Sequence, residues 1–326
     1  MESATVRTTN RLWLHLLLFL VTAATTSFTF DQQFGFSLPL DERLSGALAF
    51  SVALLAILGS HEMGHYVLAR LHGVDSSLPY FIPLPYLGVG TLGAVIRIRS
   101  RIPTRNALVD IGAAGPLAGL IVAVPILLWG LAHSQVVDAP PLRSSFPEAS
   151  SLWVLGGELL QWLQVKLSLA TPAPESGPPG SMMAFVFSDS LLMRGLKWLA
   201  LGPLPAGKDI QEHPVVIAGW FGLLVTLLNL LPVGQLDGGH LTFALWGERA
   251  RWVGKAVALV LLFLTLFYTV TWGVWLLVAA RLVGFGHPEV SQPSEPLGLG
   301  RKLVCGVCFL ALAGCAMPVP IRMVIW

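Results

Sequence analysis

Six long apolar runs limit what this chain can fold into more than any other feature of its sequence. A helix needs about 20 mostly apolar residues to cross the hydrocarbon core of a bilayer, and each run is near or above that length. The runs lie at 11–29, 46–69, 107–132, 214–232, 253–284 and 303–325. Only 12% of the 326 residues are charged, compared with about a quarter in an ordinary soluble domain. The sequence therefore predicts an all-α polytopic membrane protein with about six transmembrane helices.

The basic residues between these runs predict how the chain is oriented. They gather before the first run, between the second and third, and between the fourth and fifth: Arg7, Arg11, Arg97, Arg99, Arg101, Arg105, Arg249, Arg251 and Lys255. Because basic loops stay on the cytoplasmic side, both termini are expected to be cytoplasmic.

The first run also has features of a cleaved signal peptide. An uncleaved helix is favoured, because an even number of spans keeps the basic loops on one side. The net charge of +2, without a basic stripe, predicts no nucleic-acid partner.

The second apolar run ends in a cluster of polar residues, in the stretch GSHEMGHYVLAR at 59–70. Residues four apart lie on one face of a helix, so His61 and His65 can bind one metal ion through their imidazoles. Glu62 can instead reach a water at the metal, which is the H-E-x-x-H arrangement of zinc hydrolases. The alternative is a chance pentapeptide. An ionisable side chain at membrane depth costs at least about 2.5–3.5 kcal/mol, which favours the metal interpretation.

A catalytic zinc site needs a third protein ligand, and the stretch LLNLLPVGQLDGGHLTFAL at 227–245 offers one. Pro232 and the glycines around it are expected to break the helix. Asp237 lies in the broken segment and is the candidate ligand. It is also compatible with a simple turn residue, since Asp-Gly is a strong turn signal. His240 is a second candidate for the same role.

Four motifs in this order resemble the site-2 protease family of intramembrane zinc metalloproteases. They are HEMGH, then LPYFIPLPYLGVGTLGAVIRIRS, then DIGAAGPLAG, and finally NLLPVGQLDGGH. The resemblance covers roughly 46–130 and 195–250 and is strongest to bacterial and chloroplast members that lack a PDZ domain. One departure is Leu236, where many members have a proline.

This resemblance implies a role for each matching residue. His61, His65 and Asp237 would bind one zinc ion, and Glu62 would be the catalytic base. Asn229 would help to hold the substrate or the oxyanion.

The stretch AVIRIRS at 94–100 alternates apolar and basic residues, which predicts a short strand. In the family, similar residues form a membrane-associated β-hairpin near the zinc site. The exposed edge of such a hairpin could accept an extended substrate by strand addition. The alternative is a basic loop that touches anionic lipid. The two interpretations are compatible.

The remaining segments are assigned mainly to packing and surface roles. GAAGPLAG at 112–119 places small residues along the third run, which favours close helix packing, and Asp110 before it is expected to be an interfacial or capping residue. The segment 133–213 is expected to form two amphipathic helices on the outer membrane surface, with flexible Pro-, Ser- and Gly-rich joins and no strand series that would support a PDZ fold.

The chain is expected to divide into five segments. These are an N-terminal helix with its outer loop at 1–45, a catalytic core at 46–132 and 214–252, the outer segment at 133–213, and C-terminal helices at 253–326.

The predicted function is hydrolysis of peptide bonds in the transmembrane segment of a single-pass protein, with one zinc ion per chain. The expected location is the lipid bilayer of a bacterial cytoplasmic membrane. The alternative is a metal-ion or proton transporter that uses the same His, Glu and Asp cluster as a relay. Such a relay predicts polar residues spread through several spans, whereas these lie in two short motifs.

Overall fold

The computed structural model describes residues 11–34, 39–86, 88–139, 144–145, 152–167, 183–284, 286–287, 290–291 and 296–325. These residues are mostly helical. The helices are α1 Leu12–Phe34, α2 Leu40–Leu71, α3 Arg105–Ala132, α4 Leu152–Lys166, α5 Leu191–Leu201, α6 Pro214–Leu230, α7 Asp237–Trp246, α8 Ala250–Phe267, α9 Thr271–Val278 and α10 Leu299–Cys315.

The strands are short and form three small sheets. They are β1 Tyr80–Pro83, β2 Thr91–Val95, β3 Gln135–Asp138, β4 Ser144–Ser145, β5 Met183–Phe187, β6 Lys208–Gln211 and β7 Ile321–Ile325. Strands β1 and β2 pair antiparallel, which confirms the predicted hairpin. Strand β3 pairs with β6, and β7 lies between β4 and β5. The outer segment also contains short strands that the sequence did not predict. Its strands are only two to five residues long, too short to produce a clear alternating pattern.

The prediction of six spans is not confirmed. Within the described residues, four stretches are long and apolar enough to cross a membrane: Leu12–Phe34, Leu40–Leu71, Arg105–Ala132 and Asp237–Phe267. The protein is thus an integral membrane protein by the length and composition of its helices. The apolar helix α6 is shorter than these four. Two predicted spans were wrong in extent. The run at 253–284 is interrupted between α8 and α9, and the run at 303–325 ends as a helix at Cys315 and continues as β7.

The chain forms two compact units, and its division into the five segments stays a prediction. The first unit comprises Met1–Gln135, Gln211–Thr226 and Glu289–Cys308. The second comprises Val136–Ile210, Leu227–Pro288 and Phe309–Trp326. The Pro-, Ser- and Gly-rich joins predicted in the outer segment lie largely outside the described residues.

Close packing between α2 and α3 organises the first unit. At Gly64, an added Cβ would overlap the backbone oxygen of Ala114, so this position of α2 requires glycine. Helix α6 approaches in a similar way, since a Cβ on Gly222 would lie 2.9 Å from a methyl carbon of Ile57. Small residues let helices approach closely. Ala114 belongs to the small-residue stretch of α3 at 112–119, so the contact with Gly64 confirms that this stretch serves packing.

Helix α1 is bonded to the hairpin at three points along its length. Near its start, His15 Nδ1 donates to the carbonyl of Pro79 at 2.9 Å, directly before β1. Further along, Thr25 Oγ1 donates to the carbonyl of Gly90 at 2.8 Å. Near its end, Gln33 Nε2 donates to the carbonyl of Gly88 at 2.9 Å. The hairpin is therefore held by side chains of α1 both at the start of its first strand and at its turn.

The second unit contains the predicted helix break. Helix α6 ends at Leu230 and α7 begins at Asp237, because Pro232 cannot supply a helical N–H. Gly234 has a φ of +50°, and a Cβ there would overlap the carbonyl oxygen of Gly284. Both constraints favour glycine at this position. The prediction that the chain leaves its helix here is confirmed.

Candidate metal centre

Helix α2 places His61 and His65 one turn apart on the same face. Their side chains are buried, at 4% and 7% exposure, and the two Nε2 atoms are 3.2 Å apart. Two nitrogens bound to one tetrahedral zinc ion at about 2.0–2.1 Å would be about 3.3 Å apart. The imidazole pair therefore fits the spacing that a shared zinc ion requires.

A backbone carbonyl fixes the tautomer of His65. Nδ1 of His65 lies 2.7 Å from the carbonyl oxygen of Ile111 in α3. Since a carbonyl can only accept, Nδ1 must carry the proton and Nε2 of the neutral ring is left with its lone pair. A second ring nitrogen that donates to a carbonyl is typical of metal-binding histidines. The arrangement therefore orients His65 as a ligand.

Gly115 of α3 leaves room for the ring of His65. A Cβ at this position would overlap Nε2 and lie 2.5 Å from Cδ2 and from Cε1 of that ring. At Gly119, one turn later, a Cβ would lie 3.4 Å from Cβ of His61, which is ordinary contact. Gly115 thus does more than allow the helices to pack, because it determines whether His65 can occupy its position.

The carboxylate of Glu62 contacts the end of the hairpin. Its Oε2 accepts a hydrogen bond from the backbone N–H of Ile96 at 3.0 Å, and its side chain is 9% exposed. Ile96 directly follows β2, so the hairpin and Glu62 are in direct contact. A buried carboxylate beside two histidines can exchange a proton with a nearby water.

Asp237 is the first residue of α7, directly after the helix break. His61, His65 and Asp237 form a group that could hold a metal ion, since each offers one ligand atom and these atoms lie within 4.8 Å of one another. Two imidazoles and a carboxylate are a common donor set for catalytic zinc, which takes three protein ligands and leaves a fourth position open. The donor set therefore suits zinc, and the roles of these three residues stay predictions.

The sequence also offers His240 and Asn229 as site residues. His240 Nδ1 is 2.6 Å from Nε2 of His287, and among the described residues His240 is not part of a group that could hold a metal. The interpretation of His240 as the third ligand is therefore not favoured. Asn229 is half-buried in the last turn of α6, and its role stays a prediction.

Sequence reasoning missed three contributors to this centre. The carbonyl of Ile111 and the N–H of Ile96 are backbone groups, which leave no signature in the residue type. Gly115 had a signal, because it lies in the small-residue stretch at 112–119, but that pattern indicates only close helix packing.

The chain is similar in sequence to a known protein family and to several known proteins. Residues 49–270 match the protein family described as Peptidase family M50. The chain is 29% identical over 280 residues to probable zinc metalloprotease EGY1, chloroplastic, from Arabidopsis thaliana, an alignment that covers 85% of this chain and 44% of that protein. It is 30% identical over 223 residues to EGY2 from the same plant, covering 68% of this chain and 32% of EGY2. For EGY1 from Oryza sativa subsp. japonica, identity is 31% over 242 residues, covering 73% of this chain and 35% of that protein. The chain thus spans less than half the length of these relatives. No solved structure matches it.

Proposed function

The chain belongs to peptidase family M50, and from this premise we propose that it is a zinc endopeptidase acting within the membrane. Its substrate would be a single-pass membrane protein, cut within the transmembrane segment. The observation that carries this proposal is the group of His61, His65 and Asp237, with Glu62 adjacent to the first histidine. The relatives named above are called zinc metalloproteases, which supports the same chemistry.

One zinc ion would be held by the two imidazoles and the carboxylate. Such an ion acts as a Lewis acid and makes a water molecule reactive near neutral pH. The Nδ1–H of His65 is held by the carbonyl of Ile111, so its Nε2 is presented in a fixed direction. His61 presents its own Nε2 at 3.2 Å from that atom.

Glu62 would move the protons of the reaction. Its carboxylate accepts a proton from the attacking water and later returns it to the amine that leaves, which is general acid–base catalysis. The hydrogen bond from the N–H of Ile96 at 3.0 Å holds one carboxylate oxygen in place. The amide of Asn229 would stabilise the oxyanion or hold the substrate backbone.

The hairpin would bind the substrate in an extended form. Helical peptide bonds are shielded by neighbouring turns, so the cut segment must unwind before water can attack it. Strand β2 ends at Val95, one residue before the N–H that contacts Glu62. A peptide that binds along the edge of β2 by strand addition would therefore run towards the proposed base.

A transporter that uses the same cluster as a relay is not favoured. The family match and the names of the relatives both indicate proteolysis. The location in a bacterial cytoplasmic membrane, with both termini inside, stays a prediction. The names of the relatives carry the word chloroplastic, so they lend that location no support.

The test is cleavage of a model transmembrane helix by the purified protein in lipid vesicles. Glu62→Gln removes the proton acceptor, and cleavage should fall by about 100-fold or more while one zinc ion per chain is retained. Asp237→Ala should lose the zinc as well. Glu42→Gln is the matched control, because Glu42 lies in the exposed first turn of the same helix. Cleavage by Glu62→Gln at the wild-type rate, or wild-type protein without zinc, would contradict the proposal.

A further inference from the structure

A three-residue ion cluster lies beside the metal centre within the first unit. Arg301 of α10 donates twice to Asp110 of α3, from Nε to Oδ1 at 2.9 Å and from Nη2 to Oδ2 at 2.7 Å. His72, the residue that follows α2, places its Nε2 2.9 Å from Oδ2 of the same carboxylate. The side chains are partly buried, with 37%, 21% and 27% exposure for Arg301, Asp110 and His72. The cluster therefore ties together three helices.

The cluster is next to the group that orients a proposed zinc ligand. Asp110 directly precedes Ile111, whose carbonyl accepts the hydrogen bond from Nδ1 of His65 at 2.7 Å. His72 follows His65 by seven residues, which is about two helical turns on the same face of α2. Two hydrogen bonds therefore join this part of the chain to α3. One is from His65 to the carbonyl of Ile111, and the other is from His72 to the carboxylate of Asp110.

We propose that Asp110 is a positioning residue for His65, held in place by Arg301 and His72. A shift of α3 along α2 would move the carbonyl of Ile111 away from the imidazole and release its orientation. Two-point bonding by a guanidinium resists such sliding, because the planar fork fixes the direction as well as the distance. Helix α10 thereby contributes to the metal centre through the ion pair of Arg301 with Asp110. This inference rests on the proposed function.

The chain offers a matched control in a second ion pair of the same geometry. Arg43 of α2 donates to Asp31 of α1 from Nε at 2.8 Å and from Nη2 at 2.6 Å. The exposure of its side chains is similar, at 27% and 18%. Arg43 lies 22 residues before His65 in α2, about 33 Å along the helix axis. It therefore ties helices together in the same way but far from the zinc ligands.

The experiment compares Asp110→Asn with Asp31→Asn in the full chain in lipid vesicles. Zinc affinity is measured by competition with a chelator, cleavage with a model transmembrane helix, and stability by thermal unfolding. Asp110→Asn leaves the carbonyl of Ile111 in place, so it should weaken zinc binding measurably but by no more than the about 10–100-fold that is typical when a direct partner of a ligand is lost. Asp31→Asn should lower stability while zinc affinity stays at the wild-type value.

A second variant keeps the inference testable if Asp110→Asn does not fold. Arg301→Lys retains the charge but loses the two-point geometry, so it should fold and weaken zinc binding by less than Asp110→Asn would. Arg43→Lys is its control and should leave zinc affinity unchanged. Wild-type zinc affinity in Asp110→Asn, or in Arg301→Lys where Asp110→Asn does not fold, would overturn the inference while leaving the protease proposal intact. Equal weakening in the Asp31 and Arg43 variants would do the same. Wild-type protein without zinc would overturn both.

Discussion

Replacing Gly115 with alanine should displace His65 and remove zinc from the proposed centre. The added Cβ would lie 2.5 Å from Cδ2 and Cε1 of the ring and closer still to Nε2. Carbon atoms in contact are normally about 3.5–4.0 Å apart, so the ring must move by about 1 Å or more. A displacement of about 1 Å at a reacting centre costs about 100-fold in rate. We expect a loss of cleavage of at least that size, together with weaker zinc binding.

The same substitution should leave the fold intact. The atoms that the new methyl group meets belong to the ring of His65 rather than to the backbone of α2. Moving the ring strains its hydrogen bond to Ile111, and such a bond contributes about 0.5–1.5 kcal/mol. Alanine inside a helix is more stable than glycine by roughly 0.5–1 kcal/mol, which offsets a loss of this size. Activity and stability should therefore separate, with thermal unfolding close to that of the wild-type protein.

Gly119→Ala is the matched control for this experiment. It makes the same change one turn later on the same helix, where the new Cβ would lie 3.4 Å from Cβ and 3.5 Å from Nδ1 of His61. Both variants are assayed for zinc affinity, cleavage and thermal unfolding. A Gly115→Ala variant that binds zinc and cleaves as well as Gly119→Ala would contradict the predicted displacement of His65.

Two further predictions concern stability. The side chain of Thr104 caps α3 by accepting from the N–H of Ala107 at 3.1 Å. Thr104→Ala should lower the free energy of unfolding by about 1 kcal/mol, whereas Thr104→Ser should preserve it, as measured by denaturant unfolding in micelles. Burial lowers the pKa of His213 below its usual value of 6.5, and the charge of nearby His133 lowers it further. Its Nδ1 accepts from the N–H of Val215 at 3.3 Å, which requires the neutral ring. Because the unfolded chain takes up this proton at a higher pH than the folded one, unfolding free energy should fall as pH drops below about 6.5. A His213→Gln variant that keeps the full pH dependence would contradict this assignment.

Local signals predicted the elements that carry the candidate site. The two histidines four residues apart were predicted to lie on one face of a helix, and α2 contains both of them. Pro232 and the glycines after it required a break, and α6 ends at Leu230. The alternating residues near 94–100 indicated a strand, although β2 occupies Thr91–Val95. Only Ile98 within the later part makes a further bridge, to Ser76. These features depend on short-range backbone preferences, which a sequence records directly.

Apolar composition alone did not predict where helices end. The run at 253–284 has no charged residue between Lys255 and Arg281, so hydropathy gives no sign that α8 stops at Phe267. In the last run, Pro318 and Pro320 were a usable signal, because proline does not continue a helix. Trp272 of α9 donates to the carbonyl of Pro318 at 2.7 Å, a tertiary contact that no local pattern contains.

Asp110 illustrates a different limit of sequence reasoning. Its position near the start of the third apolar run was compatible with an interfacial or capping residue. Its partner Arg301 is 191 residues away in the chain. A pairing over such a distance depends on the fold as a whole and leaves no trace in local spacing.

The three hydrogen bonds between α1 and the hairpin favour movement of these two elements as one rigid unit. His15, Thr25 and Gln33 hold Pro79, Gly90 and Gly88, and breaking each bond costs about 0.5–1.5 kcal/mol. A movement of α1 alone would break all three hydrogen bonds. A movement of α1 together with the hairpin keeps them and therefore costs less free energy. A movement of α1 away from α2 would then carry β2 away from Glu62. Entry of the proposed substrate from that side would therefore be coupled to the position of the proposed base.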